Sequence, residues 1–335
     1  MKVYAALLAV VISPHLIAAT QTSDHANTEL QSPNVFKTTT AQYPKVSTSL
    51  AFGVLSGGKV KEIVYNNNFK LSQLDWEIKT TPTAHAEFSL QLSPLTSINL
   101  KGWSTLKDST NTMNDYDWLD PNKHDRLTDW SNHPNTKLNY ANEIDINLNK
   151  TLISTPNYQV GALVGYQNNN MSWTSKGGTF QYSEVDQEDN YLPGSALANR
   201  GEFDPNTPGI AYQQKFKTPY LGLSAQYKFR KLELNSTLKY SPWVKAQDTD
   251  HHYARDIEFK TEVKDSHFYG LNFNAGYYVK PNLKLFSEVN WTEFRLGKGQ
   301  LNYTSNPDQT TLSLVNGGGI SNQHVNFNLG AQLRF

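Results

Sequence analysis

The chain has 335 residues, of which 38% are apolar with Tyr counted and Gly left out, and exchanging the 18 Tyr for the 20 Gly leaves about 39%, against about 45–50% for typical soluble domains on that basis. Charged residues make up only 18%, and 30 basic side chains balance 30 acidic ones, so no net field draws the chain to nucleic acid or to an acidic surface. Rings are abundant (Tyr 18, Phe 15, Trp 7) and Cys is absent, which argues against a helical bundle and excludes a disulfide framework, a thiolate nucleophile and a Cys-ligated metal.

The first segment is a leader. Met1-Lys2, the apolar run Val3–Ala19 and the small residues Ala18-Ala19 before a polar continuation have the charge, length and cleavage chemistry of a secretory signal peptide over 1–19. A membrane anchor is the weaker reading, because the run is marginal in length and broken by Pro14. Residues 20–44 are polar, rich in Ser and Thr, and read as a flexible lead-in to one domain over 45–335.

From there the apolar residues alternate. Val46, Thr48, Leu50, Phe52 and Val54 begin the pattern. Ile144–Leu148, Tyr158–Tyr166, Leu221–Phe229, Leu271–Val279 and Val325–Phe335 repeat it. A period of two is a strand with one apolar and one polar face. Ten strands are predicted, at roughly 46–56, 68–93, 97–106, 137–149, 158–183, 210–230, 231–246, 257–280, 283–304 and 322–335. Tight turns at Leu92–Leu95, Phe229–Lys231 and Lys280–Asn282 contrast with long polar connections at about 107–136, 184–209 and 305–321. That asymmetry, aromatics near strand ends and a terminal Phe335 favour an all-β, ten-stranded antiparallel transmembrane barrel with long extracellular loops over a secreted sandwich.

Two connecting segments carry chemistry. In Asn114–Asp120, Asp115 and Asp117 are two apart and project to one side of an extended chain. In Asp248–Tyr253, Asp250 and His252 have the same spacing. A carboxylate beside a His orients the ring and raises its basicity, and a close carboxylate pair holds a shared proton. A water between the two pairs would be a nucleophile without a covalent intermediate. Either segment alone would be ordinary in a solvent-exposed turn, which Asp suits. The first segment fits a calcium loop badly, with Asp120 where Gly belongs and Arg126 at the twelfth position. No HExxH or GxSxG occurs. Strand 231–246 turns Leu232, Leu234 and Leu238 outward, so unbroken alternation would send Asp248, Asp250 and His252 to lipid. A bulge or break near Ala246–Asp248 is required.

A larger set of motifs runs in order along the chain: LSG…KxKExVY (Leu55–Tyr65), SQLDW (Ser72–Trp76), DxDW (Asp115–Trp118), HPxTxLNYANE (His133–Glu143), FKxPYxGL (Phe216–Leu223), KYSxWV (Lys239–Val244), DxDxHY (Asp248–Tyr253) and NAGYYVxPN (Asn274–Asn282). Over nearly the whole mature chain it resembles the omptin family of bacterial outer-membrane proteases. The resemblance implies a ten-stranded barrel with an active site at its outer end, in the outer membrane of a Gram-negative bacterium and facing the exterior. It implies an endopeptidase that prefers paired basic residues. Carried over by motif, His252 activates the water, Asp250 orients His252, and Asp115 and Asp117 position the water. Glu62 and Asp248 match the acids lining the pocket for the basic residue, and Asp129 matches an acid near the next subsite. The stretch Ser56-Gly57-Gly58-Lys59 departs from the family by one extra Gly.

The resemblance further implies no metal and no organic cofactor, a monomer, and lipopolysaccharide as an activating lipid held by Tyr166, Lys215 and Lys264. Asn168 and Asn170 stand where the family has charged residues, which weakens phosphate pairing. The rival from another class is a silent adhesin or receptor on the same scaffold, which would have lost at least one of Asp115, Asp117, Asp250 or His252; all four are present. A lipid-degrading barrel would need a Ser–His pair facing lipid, for which no motif stands out. The dibasic Arg230-Lys231 lies in a tight turn expected on the opposite side of the membrane from the site.

Overall fold

Hydrogen bonds that a bilayer cannot supply must be closed within the protein, and here the strands close on themselves. The structure is a computed structural model that describes residues 46–335 apart from Asn68 and Asp189, so the expected signal peptide and lead-in lie outside the described residues. Twelve antiparallel strands follow in order: β1 (Val46–Asn66), β2 (Phe69–Ile78), β3 (Thr81–Ser93), β4 (Thr96–Thr105), β5 (Ser109–Asp117), β6 (Asp129–Ser154), β7 (Tyr158–Tyr182), β8 (Asn199–Phe229), β9 (Leu232–His252), β10 (Ile257–Lys280), β11 (Leu283–Ser305) and β12 (Thr310–Arg334). From β6 to β12 each strand pairs with the next, β1 to β5 complete the ring between β12 and β6, and β12 pairs back to β1, which makes a barrel.

Two more strands appear than the ten expected. The expected strand 68–93 divides at Lys79-Thr80 into β2 and β3, and β5 forms inside the expected loop 107–136. Around any one level the ring still holds ten strands. Near the tight-turn end β1 pairs with β3, β3 with β4 and β4 with β6. At the far end β1 pairs with β2, β2 with β5 and β5 with β6. Much of the expected loops 184–209 and 305–321 is strand as well, since β8 begins at Asn199 and β12 at Thr310. Beyond the apolar band neither face has to be apolar, so alternation fades there while the backbone ladder continues.

The exterior band is continuous. Leu100 stands opposite Ile146, Val164 opposite Leu221, Leu223 opposite Leu238, Leu238 opposite Leu271, Phe273 opposite Val289, and Phe327 opposite both Val289 and Val54. Leu50, Phe52, Ile144, Leu221 and Leu329 are all more than half exposed, as a lipid-facing belt demands. β3–β4, β6–β7, β8–β9 and β10–β11 are joined by short turns at one end, where Val46 and Phe335 also exchange backbone hydrogen bonds. Arg230-Lys231 lies in one of these turns, at the end opposite Asp115 and His252.

Two bulges reset which residues face inward. Along lower β1 the even-numbered Leu50 and Phe52 point out, whereas beyond the bulge the even-numbered Val60 and Glu62 are buried. The pairing with β12 slips between Ser56 and Lys59, and Gly57 takes a φ of +65°. The extra Gly seen in the sequence belongs to this bulge. On β9, Leu238 and Tyr240 point out while Val244, Ala246, Asp248, Asp250 and His252 are buried. The slip lies at Ser241–Trp243, ahead of the expected Ala246–Asp248. Pro242 has no N–H for the ladder, and the Trp243 amide donates instead to Ser241 Oγ at 3.0 Å.

The interior is tiered. Near the tight-turn end, Glu233 accepts from Lys284 at 2.7 Å, Tyr278 at 2.8 Å and Arg334 at 3.0 Å, below a polar cavity of about 310 Å³. Above it rings from non-neighbouring strands meet across the lumen. Phe216 stacks on Phe294 at 4.0 Å, and Trp76 on Tyr212 at 5.0 Å. The acidic residues lie above this packed layer. Placing a β-branched side chain at the left-handed Gly57 should cost about 1–2 kcal/mol; Gly57→Val is expected to lower the urea unfolding midpoint of the micelle-embedded barrel without changing its slope.

Candidate active site

The inward face of β5 carries Met113, Asp115 and Asp117, and the inward face of β9 carries Asp248, Asp250 and His252. β6, β7 and β8 lie between the two strands in the ring, so the groups meet across the mouth and not along a sheet. The charge of Asp250 acts on Asp115, and His252, once protonated, acts on Asp117. Glu62 on β1 feels Asp250, Asp248 and Asp115 together. The two pairs and the pocket acids expected from the sequence therefore converge.

Each pair has its own bonding. His252 Nε2 donates to Asp250 Oδ2 at 2.7 Å. The other ring nitrogen, Nδ1, accepts from Arg255 Nη2 at 2.7 Å. A guanidinium can only donate, so the ring is neutral with its proton on Nε2. Ser72, which stands opposite Asp117 in the β2–β5 ladder, donates its hydroxyl to Asp115 Oδ1 at 3.3 Å. Asp248 accepts from the Thr261 amide at 2.9 Å and from the Tyr212 hydroxyl at 3.1 Å. Gln214 in turn donates to the Tyr212 oxygen at 2.7 Å. Glu62 is 1% exposed, and among the described residues neither carboxylate oxygen has a hydrogen-bond partner.

Burial dominates the electrostatics. It raises the Glu62 carboxyl well above the usual range, with Asp250, Asp248 and Asp115 adding to the effect. It raises Asp115 likewise, helped by Asp117 and Asp250. Asp117 is pushed up to about 6 by burial, and Asp248 to about 7 despite the bonds from Thr261 and Tyr212. Asp129, opposite Asp117 in the β5–β6 ladder, accepts from the Ser183 amide at 3.2 Å and is raised by burial. A cleft that holds this many carboxyls short of cations stabilises an arriving cation.

The three exterior residues are placed differently. Tyr166 on β7, Lys215 on β8 and Lys264 on β10 are all exposed. Lys215 stands opposite Asn170, so it shares a patch with Tyr166, Asn168 and Asn170, whereas Lys264 lies beyond β9. Sequence reasoning missed Arg255, Tyr212 and Thr261. Only the cross-strand register brings Tyr212 opposite Asp250 and Thr261 opposite Asp248.

An apolar outer belt, a lumen closed by packed rings and a carboxylate cleft at one end define a membrane barrel built as an enzyme and not as a pore. The model of the Omptin family matches residues 42–335, and the chain belongs to that family. It is 38% identical over 295 residues to Protease 7 of Escherichia coli O157:H7, covering 87% of this chain and 90% of the relative. It is 37% identical over 286 residues to the plasminogen activator of Yersinia pestis, covering 84% and 87%. The crystal structure of the outer membrane protease OmpT from Escherichia coli superposes with a TM-score of 0.82 at 35% identity, covering 89% of this chain and 99% of that one. The protein is an outer-membrane protease, and polypeptides are its substrates.

The raised acids make stability depend on pH with a definite sign. Asp248 titrates near 7 in the folded barrel against an ordinary 3.8, so the folded state holds the proton more tightly. Its contribution is present below about pH 4 and is lost as pH rises through about 7. Asp248→Asn should therefore lose less stability than the wild type between about pH 4 and pH 8, read from urea midpoints across that range.

Proposed function

We propose that the protein is an endopeptidase that cuts polypeptides after basic residues, preferring paired Arg or Lys, with its cleft at the cell exterior. The observation that carries this reading is the convergence of Asp115 and Asp117 with Asp250 and His252, beside a buried Glu62 that has no hydrogen-bond partner among the described residues. A guanidinium or ammonium entering between Glu62 and Asp248 supplies the missing cation, and a planar guanidinium donates to two carboxylates in a fixed fork. Asp129 sits beside Asp117 and suits a second basic residue.

In this mechanism His252 takes a proton from water while Asp250 keeps the ring oriented and stabilises the imidazolium. Asp115 and Asp117 hold the water and, with one shared proton, donate to the tetrahedral oxygen as it becomes negative. His252 then returns its proton to the leaving amine. The steps call for no metal or organic cofactor, and a single chain contributes every group, in keeping with a monomer. Tyr166, Lys215 and Lys264 are proposed to hold lipopolysaccharide phosphates as an activating lipid, with Asn168 and Asn170 weakening the grip.

A quenched Arg-Arg peptide tests the reaction. Reconstituted wild type is expected to cleave it after Arg, and His252→Ala and Asp115→Ala to lose roughly 10²–10⁴ in kcat; full turnover in either variant overturns the assignment. The lipid site is tested separately. Folded, lipopolysaccharide-free barrel should gain activity when lipopolysaccharide is added, and Lys215→Ala with Lys264→Ala should need more of it. Equal activity with and without the lipid removes that site from the reading.

A further inference from the structure

Arg255 lies in the turn 253–256 between β9 and β10, and its side chain is exposed. The backbone of that turn is tied at several points. The Tyr253 amide donates to Gly209 O at 3.0 Å, and the Asn306 amide donates to Asp256 O at 3.2 Å. The side chain is held far less firmly. Among the described residues its one side-chain hydrogen bond runs to His252 Nδ1, and no carboxylate lies within ion-pair distance of it. Its charge nonetheless reaches both Asp115 and Asp117, so the guanidinium lies against His252 and within electrostatic reach of the carboxyl pair.

That position has a chemical consequence. With Nε2–H given to Asp250, the Nδ1 lone pair is the site on His252 that can take a proton from water. A guanidinium hydrogen bond on that lone pair withholds it. We propose that Arg255 is a movable internal cap, a guanidinium supplied by the enzyme itself that covers the base in the resting cleft and is displaced when a basic substrate enters. The inference deepens the reading above and rests on it. It gives the cleft a second layer of selection. A peptide that brings its own cation weakens the hold of the carboxyls on Arg255, whereas a neutral peptide leaves the cap in place. Capping lowers the competent fraction and with it the apparent efficiency.

The groups facing His252 bear on the test. They are Asp250 on β9, Arg255 in the turn, Asp117 on β5, His133 on β6 and the ring of Phe259 on β10. Arg255→Ala removes one of them from an exposed turn, and an unchanged heat-shifted band in semi-native electrophoresis checks that the variant folds. With a short dibasic peptide, kcat/KM of Arg255→Ala is expected to rise roughly three- to tenfold, the worth of one ordinary hydrogen bond, since solvent at the exposed turn screens the charge. Added guanidinium ion should return the variant toward the wild-type rate, beyond any inhibition it causes in the wild type. A fall in kcat that guanidinium restores would overturn the cap and make Arg255 a catalytic group that binds the oxyanion. An unchanged kcat/KM would overturn it too. Either result leaves the His252→Ala and Asp115→Ala test intact, so the cap and the underlying reaction fail separately.

Discussion

The pleat of a β-strand has a period of two, and everything in this barrel depends on where that period is allowed to slip. A strand that runs straight from lipid belt to mouth keeps the same residues inside throughout. β8 does so and brings Tyr212 inward, and the short β5, which lies wholly above the belt, keeps Met113, Asp115 and Asp117 on one inward face without a slip. β1 and β9 do not. The bulge at Gly57 and the bulge around Pro242 each insert one residue, and beyond them the inward set is the one that faced lipid below. Glu62, Asp248, Asp250 and His252 reach the cleft only through those slips. Single-residue irregularities in two strands thus place four of the acidic and basic groups of the mouth.

The tiers of the interior follow from what each level must exclude. The belt needs lipid outside and tolerates polar side chains inside, which the Glu233 and Asp145 networks satisfy internally through Lys284, Arg334 and Lys239. The stacked rings above it exclude water from the floor of the mouth. That dry floor is what raises the carboxyls of Glu62, Asp115 and Asp248, because burial is the largest cause for each. Rings that look like ordinary core are therefore part of the electrostatics of the cleft.

Much of this was legible in the sequence, for reasons specific to each part. Alternation located the belt strands because lipid enforces it. It failed over 107–136, 184–209 and 305–321, where strands continue without a lipid face and the residues read as loop. The spacing of Asp115 with Asp117 and of Asp250 with His252 survives in any extended chain, so those pairs were readable. The need for a bulge on β9 followed from parity, but its position did not, since Pro242 in KYSPWV carries it four residues before Ala246–Asp248 begins. The extra glycine first noted as a departure is the bulge that turns Glu62 inward. Tyr212 and Arg255 act through cross-strand and turn geometry that no linear spacing encodes.

The pairing of β1 with β12 sets the order in which this molecule can come into being. Val46 exchanges backbone bonds with Phe335, and Ser47 lies opposite Arg334. A chain made from its N-terminus carries β1 with one unsatisfied edge until β12 is available. Closing that seam joins positions almost the full length of the domain apart, the costliest loop the chain contains. Assembly is then a race between ring closure and capture of the open edge by another strand, and the final strand decides it.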